Sequence, residues 1–209
     1  MRYQDVLDFW FEEIEPAQYW KKDADFDQLI RDRFGAVQLA ATKCELYRWR
    51  ATPEGRLAEV IVLDQFSRNI FRDQPESFAS DSLALCLAQE AIAAGADRAI
   101  APEKVGFLYM PFMHSESVMI HEVAVTLFQT PNMAEFELKH KAIIDRFGRY
   151  PHRNEILSRK STPEEIEFLA GPDSSFWIDA QRRVYPWGEH SLTLRKIRLD
   201  QQDFTIFWK

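Results

Sequence analysis

Four polar side chains crowd the stretch from Leu63 to Ile70: Asp64, Gln65, Arg68 and Asn69. On a helix, residues three and four apart share a face, so Leu57, Ile61, Asp64 and Arg68 fall in one line. That line begins apolar, and a carboxylate and a guanidinium continue it toward the core. An isolated charge is costly to bury, so the spacing predicts a paired Asp64 and Arg68. Gln65 and Asn69 form a second i, i+4 pair one step around. Two readings fit: an ion pair that fixes helix packing, or the wall of a ligand pocket, since four adjacent polar groups exceed the needs of one salt bridge.

A second constellation follows the apolar run FLYMPFM: His114, Ser115 and Glu116, just after Pro111. A histidine titrating near neutrality beside a carboxylate suits general acid–base work, and equally a satisfied core network. His140 lies on the stripe Phe136, His140, Ile143, Phe147 and should point inward. His114, Glu116 and His140 are the candidate catalytic groups.

The strongest local signal is cationic. Between 139 and 160 the chain carries Lys139, Lys141, Arg146, Arg149, Arg153, Arg159 and Lys160 against Asp145 and Glu155. Arg149, His152 and Arg153 gather around Pro151, which can open a helix running to Leu157. Cations oppose the dipole at a helix N-terminus, so something negative should compensate. A bound phosphate or carboxylate would serve, and so would Asp64 or Glu116 reaching across. The candidate ligand-binding set is Asp64, Gln65, Arg68, Asn69, His114, Glu116, Arg149, His152 and Arg153.

Other motifs fail. His121-Glu122-Val123-Ala124-Val125 begins like a zinc-protease helix, but Val125 stands where the second histidine belongs. Glu137-Leu138-Lys139-His140 is one ExxH where a di-iron bundle needs two. Phosphate-loop, dinucleotide and nucleophile-elbow glycine patterns are missing. No metal or cofactor is expected. Cys44 and Cys86 lack close spacing and read as small buried residues in a reducing compartment.

The elements that must position these groups are helical. Seven Gly in 209 residues are few for a sandwich or barrel, while 16 Phe and 6 Trp promise an aromatic core. Apolar periodicity predicts a helix over 4–14 and a long helix or two over 25–50, its buried stripe Phe26, Leu29, Ile30, Phe34, Val37 and Ala41. Gly35 would loosen that helix or admit another backbone. Thr52-Pro53 starts a helix to about Ile70. Helices follow over 78–94, closed by Gly95; over 105–129, interrupted near Pro111; and over 133–147, closed by Gly148. Thr162-Pro163-Glu164-Glu165 is a capping box opening a helix over 163–170.

The expected architecture is all-α, with antiparallel helix pairs packed like tetratricopeptide repeats over residues 1–171. Residues 172–209 form a C-terminal extension, irregular or a short hairpin across 192–208. Thirty-three acids against 26 Lys and Arg leave a net charge of −7, so nucleic acid is not an expected partner. The acidic N-terminus is unlike a signal peptide, and no apolar run is long enough to span a bilayer. No membrane partner and a cytoplasmic location are expected; the sequence leaves the oligomeric state open.

Several blocks together resemble one family. They are Val6-Leu7-Asp8-Phe9-Trp10-Phe11, Leu63 to Phe71 (LDQFSRNIF), Phe107 to Glu116 (FLYMPFMHSE), His140 with Arg146 to Asn154 (RFGRYPHRN), and Arg159 to Glu165 (RKSTPEE). Their order and spacing are similar to the domain-of-unknown-function 924 family, over residues 1 to about 170. The resemblance implies an all-α, tetratricopeptide-like fold and no established activity. Beyond Gly171 the sequence departs from the family pattern.

Three functions are consistent with these residues. The favoured one is a helical-repeat-like binding module whose polar pocket takes a small anionic molecule or an acidic group of a peptide or protein partner. Another is a hydrolase or transferase acting on an anionic metabolite through a histidine–carboxylate pair. The third is a purely structural polar cluster.

Overall fold

A computed structural model describes residues 1–171; the hairpin or tail expected beyond them lies outside the described residues. The structure is all-α, and no β-strand occurs among the described residues. The helices are α1 (Tyr3–Asp8), α2 (Ala24–Thr42), α3 (Pro53–Ile61), α4 (Ser67–Ile70), α5 (Asp81–Ala93), α6 (Pro102–Met113), α7 (Val118–Leu127), α8 (Pro131–Phe147) and α9 (Pro163–Ala170). Two π-helical turns interrupt the α-helical run: Phe9–Glu13 extends α1, and Val62–Phe66 joins α3 to α4.

The start signals act as their chemistry requires. Thr52 Oγ1 accepts the Gly55 amide at 3.1 Å. Thr162 and Glu165 exchange cap bonds of 3.2 and 2.7 Å at the start of α9. Gly95 (φ 75°) and Gly148 (φ 68°) take the left-handed conformation that ends α5 and α8, where a side chain would be strained. Gly55 is required for another reason: a Cβ there would lie 2.0 Å from the Trp49 carbonyl oxygen.

Most of the hydrophobic interior is one cluster built by α1 to α7. Phe34 sits 4.8 Å, centroid to centroid, from both Phe9 and Phe66, and Trp10 packs edge-on against Phe66 and Phe107. A smaller cluster holds Ile143, Ile144 and Tyr150, with Phe147 and Phe168 against it. From α5 to α8 each helix packs on the next, whereas earlier in the chain α1 packs on α3, α2 on α4 and α3 on α5.

Several expectations need correction. Leu29 is half exposed, because it sits about 100° around α2 from the centre of the buried stripe. No atom lies within 4 Å of a Cβ placed on Gly35, so no backbone approaches it there. Pro111 lies inside α6, and the chain breaks only after Met113. Near a helix C-terminus a proline costs a single backbone bond, which the packing tolerates. Cys44 and Cys86 are both exposed rather than buried. Cys44 stands just past α2 with φ 58°, so it caps an end and does not fill the core. Pro151 opens a single 3₁₀ turn, Pro151–Arg153, not a helix to Leu157.

Candidate functional site

The π turn carries Asp64 into the interior. Nine consecutive residues, Val62 to Ile70, are buried, so the polar ones among them must find partners inside. Asp64 Oδ1 lies 3.0 Å from Arg68 Nη1 and 2.7 Å from His114 Nδ1, and Oδ2 accepts from Gln65 Nε2 at 2.5 Å. Arg68 also donates to the Asp64 carbonyl at 2.7 Å. The paired Asp64 and Arg68 expected from the spacing are therefore present, and π turns often mark places where function requires such an inserted residue.

Arg68 reaches on to Asp81, the first residue of α5, at 3.1 Å. Arg153 donates to the same carboxylate at 3.1 Å and to the His114 carbonyl at 3.0 Å. Its guanidinium also lies 4.6 Å from the centroids of both Phe78 and Tyr150. Asp64, Arg68, His114 and Arg153 thus meet in one buried network. It joins α4, α5 and α6 of the large cluster to the Pro151–Arg153 turn beside the small one. Glu116 adjoins it, taking Arg159 at 2.6 Å and the Tyr150 amide at 2.8 Å.

The sequence marks Asp81 and Tyr150 with no site signal, Glu165 only as a cap and Arg159 only as a charge. Asp81 opens a helix, where an acid looks like ordinary dipole chemistry. Nothing local shows that it will serve two arginines from elsewhere.

The remaining candidates lie apart. Arg149 pairs with Glu165 through bonds of 2.7 and 2.8 Å, so the capping-box glutamate supplies the compensating charge. Neither Asp64 nor Glu116 is its hydrogen-bond partner. Asn69 turns the other way and donates to Asp27 at 2.8 Å, beside the Arg72–Asp27 ion pair. His140 donates through Nδ1 to the Phe136 carbonyl at 2.8 Å and is buried; burial holds its pKa well below the usual histidine range. Phe136 itself is partly exposed, and Glu137 instead turns inward to His121 at 2.7 Å. His152 lies tilted against Tyr150, 5.4 Å between ring centroids, and burial, with Arg153 beside it, brings its pKa down to about 3.

A cleft of about 450 Å³ opens onto this network, lined by Phe78, Asp81, Ser82, Leu85, Pro111, His114, Ser115, Glu116, Arg153 and Leu157 among others. Charge in the network and on its margin is balanced: Arg68, Arg153 and Arg159 stand against Asp64, Asp81 and Glu116. The His114 side chain is 14% exposed. Among the described residues its Nε2 has no hydrogen-bond partner. Burial and the nearby Arg68 guanidinium lower the His114 pKa, against the pull of Asp64. Burial would raise the Asp64 pKa, but Arg68 and His114 outweigh it and hold the acid ionised. An ionised Asp64 can only accept, so Nδ1 of the neutral imidazole carries the proton. The lone pair is left on Nε2.

Among the described residues no three His, Cys, Asp or Glu side chains are grouped to hold a metal ion, and no helix is long and apolar enough to cross a membrane.

Residues 6–173 match the family described as bacterial protein of unknown function, DUF924. The chain belongs to that family. A solved structure of a protein of unknown function from Agrobacterium tumefaciens is 39% identical, with a TM-score of 0.77 over 80% of this chain and 96% of that one. No curated protein matches. The DUF924 match spans α2 to α9 and the second half of α1, and it takes in every residue of the polar network.

Proposed function

We propose that the cleft is an acid–base active site in which His114 is the general base and Asp64 orients it. The reaction class is hydrolysis or group transfer on a small molecule. His114 Nε2 would take a proton from water or a substrate hydroxyl as the nucleophile attacks, then return it to the leaving group. Phe78, Leu85, Pro111 and Leu157 offer the substrate an apolar wall, and Asp81, Ser82, Ser115, Glu116 and Arg153 a polar one.

One observation carries this reading: the 2.7 Å Asp64–His114 bond of a histidine that lines the cleft, its Nε2 without a partner among the described residues. It favours the catalytic alternative over a pure anion-binding module, because each guanidinium at the cleft already carries a carboxylate. The same saturation is what a purely structural network would show, so function must be read from His114 itself.

The test is a panel of small esters, lactones, anhydrides and phosphate esters assayed with wild type and His114→Gln. A positioned base contributes about 10²–10⁴-fold, so any turnover should fall by that order in His114→Gln. Turnover that survives His114→Gln at the wild-type rate refutes the assignment.

A further inference from the structure

Helix α6 ends at Met113, and the carbonyls at a helix end have no partner within the helix. The carbonyls of residues 113, 114 and 115 are each taken by a different side chain. Tyr150 Oη donates to the Met113 carbonyl at 2.5 Å, Arg153 Nη2 to that of His114 at 3.0 Å, and His121 Nε2 to that of Ser115 at 2.9 Å. Glu116, the next residue, is held by Arg159 and the Tyr150 amide. A connection between two helices is ordinarily free to shift; this one is gripped at every residue from 113 to 116.

The donor roles follow from the surroundings. His121 Nε2 faces the Ser115 carbonyl and, at 3.3 Å, the Tyr150 oxygen, whose hydrogen goes to Met113. Both are acceptors, so Nε2 must carry a proton. The 2.7 Å hydrogen bond shared by Nδ1 and Glu137 Oε1 then fixes the ring's orientation. His121 and Glu137 are fully buried and Tyr150 nearly so. None of the three lines the cleft, so their role toward any substrate is indirect.

We propose that His121 and Tyr150 are positioning residues that, together with Arg153 of the cleft wall, set the backbone of 113–115 so that the His114 ring keeps its bond to Asp64. This rests on the reading of His114 as the general base. The histidine of the failed zinc-protease-like motif thereby gains a role, since it holds the residue next to the catalytic histidine. The aromatic–basic block around Pro151 is accounted for as well: it serves the site through the backbone and through Arg153 at its edge.

The experiment uses the full chain labelled with ¹⁵N-histidine and titrated by NMR, with His114→Gln identifying the His114 signals. Wild type should show His114 as the Nδ1-protonated neutral tautomer at neutral pH. Tyr150→Phe deletes one hydrogen bond, and His121→Leu another. In both, a loosened His114 should meet more water and its pKa should move up by about one unit. His121→Gln, whose amide can still donate to Ser115, should restore the wild-type titration. A merely structural role would lower melting temperature without moving the His114 titration. If Tyr150→Phe and folded His121→Leu leave the His114 pKa and tautomer unchanged, the positioning role is overturned. Should His121→Leu fail to fold, Tyr150→Phe decides the question alone. An imidazolium at neutral pH in wild type would sink the general-base reading, while the variants would still report on positioning.

Discussion

Replacing Asp81 by Asn tests the polar network at its least replaceable point. The carboxylate accepts from Arg68 and Arg153, each at 3.1 Å, and both arginines are only 6% exposed. Asparagine keeps the shape and one acceptor but removes the charge. Arg68 would retain Asp64, whereas Arg153 would keep only the His114 carbonyl and its two aromatic faces. Depriving a buried charge of its partner costs about 3–5 kcal/mol, and Asp81 is enclosed enough that solvent screening removes little of it. For a chain of this size that corresponds to a fall in melting temperature of about 6–20 °C. Urea unfolding at neutral pH and calorimetry would measure the loss. A double mutant of Asp81→Asn with Arg153→Met should lose less than the two single changes summed, since the stranded cation is gone. A cost for Asp81→Asn below about 1 kcal/mol, the level of an exposed pair, would show that water already screens these charges and that the network is not a buried one.

Acidification should destabilise the fold before ordinary carboxylates titrate. Burial lowers the folded-state pKa of His114, His140 and His152, the last to about 3, so from about pH 6.5 downward the unfolded chain binds more protons. Stability should then fall with pH at up to about 1.4 kcal/mol per unit for each histidine, measured by urea titrations across that range. Below about pH 4 the loss should continue as Asp64, whose folded-state pKa is lowered, is forced to protonate. A flat profile between pH 6.5 and 5 would contradict the burial of all three rings. Gly35→Ala should stabilise by about 0.5–1 kcal/mol in thermal unfolding, because it lies within α2 with open space around its Cβ position. Any destabilisation would mean the space is occupied. Cys44 and Cys86 should both react with a thiol reagent in the native protein, and protection of either would contradict its exposure.

Much of this molecule is legible along the chain, because helices are written in local terms. The 3.6-residue period, the hydroxyl of Thr52, the capping box at Thr162 and the glycines at 95 and 148 each act within a few residues of their own position. The inward turn of Asp64 and Arg68 is of the same kind, since it needs only the rule of i and i+4. The partner of each charge is a different matter. Arg149 and Arg153 stand four apart with the same chemistry, yet one meets the capping glutamate of α9 and the other a carboxylate 72 residues away. Gln65 and Asn69 likewise share a face in the one-dimensional reading, but the packing sends one to Asp64 and the other to Asp27.

Local chemistry along the chain is enough to make it helical, to mark where most helices begin and end, and to send charges into an aromatic core. Which charges meet, which side chains hold the backbone around His114, and that its Nε2 has no partner among the described residues follow from how the helices pack. The reason is physical: caps and periodicity are satisfied by neighbours in sequence. A buried charge or an orphan carbonyl is satisfied by whatever the packing of separate helices brings within about 3 Å.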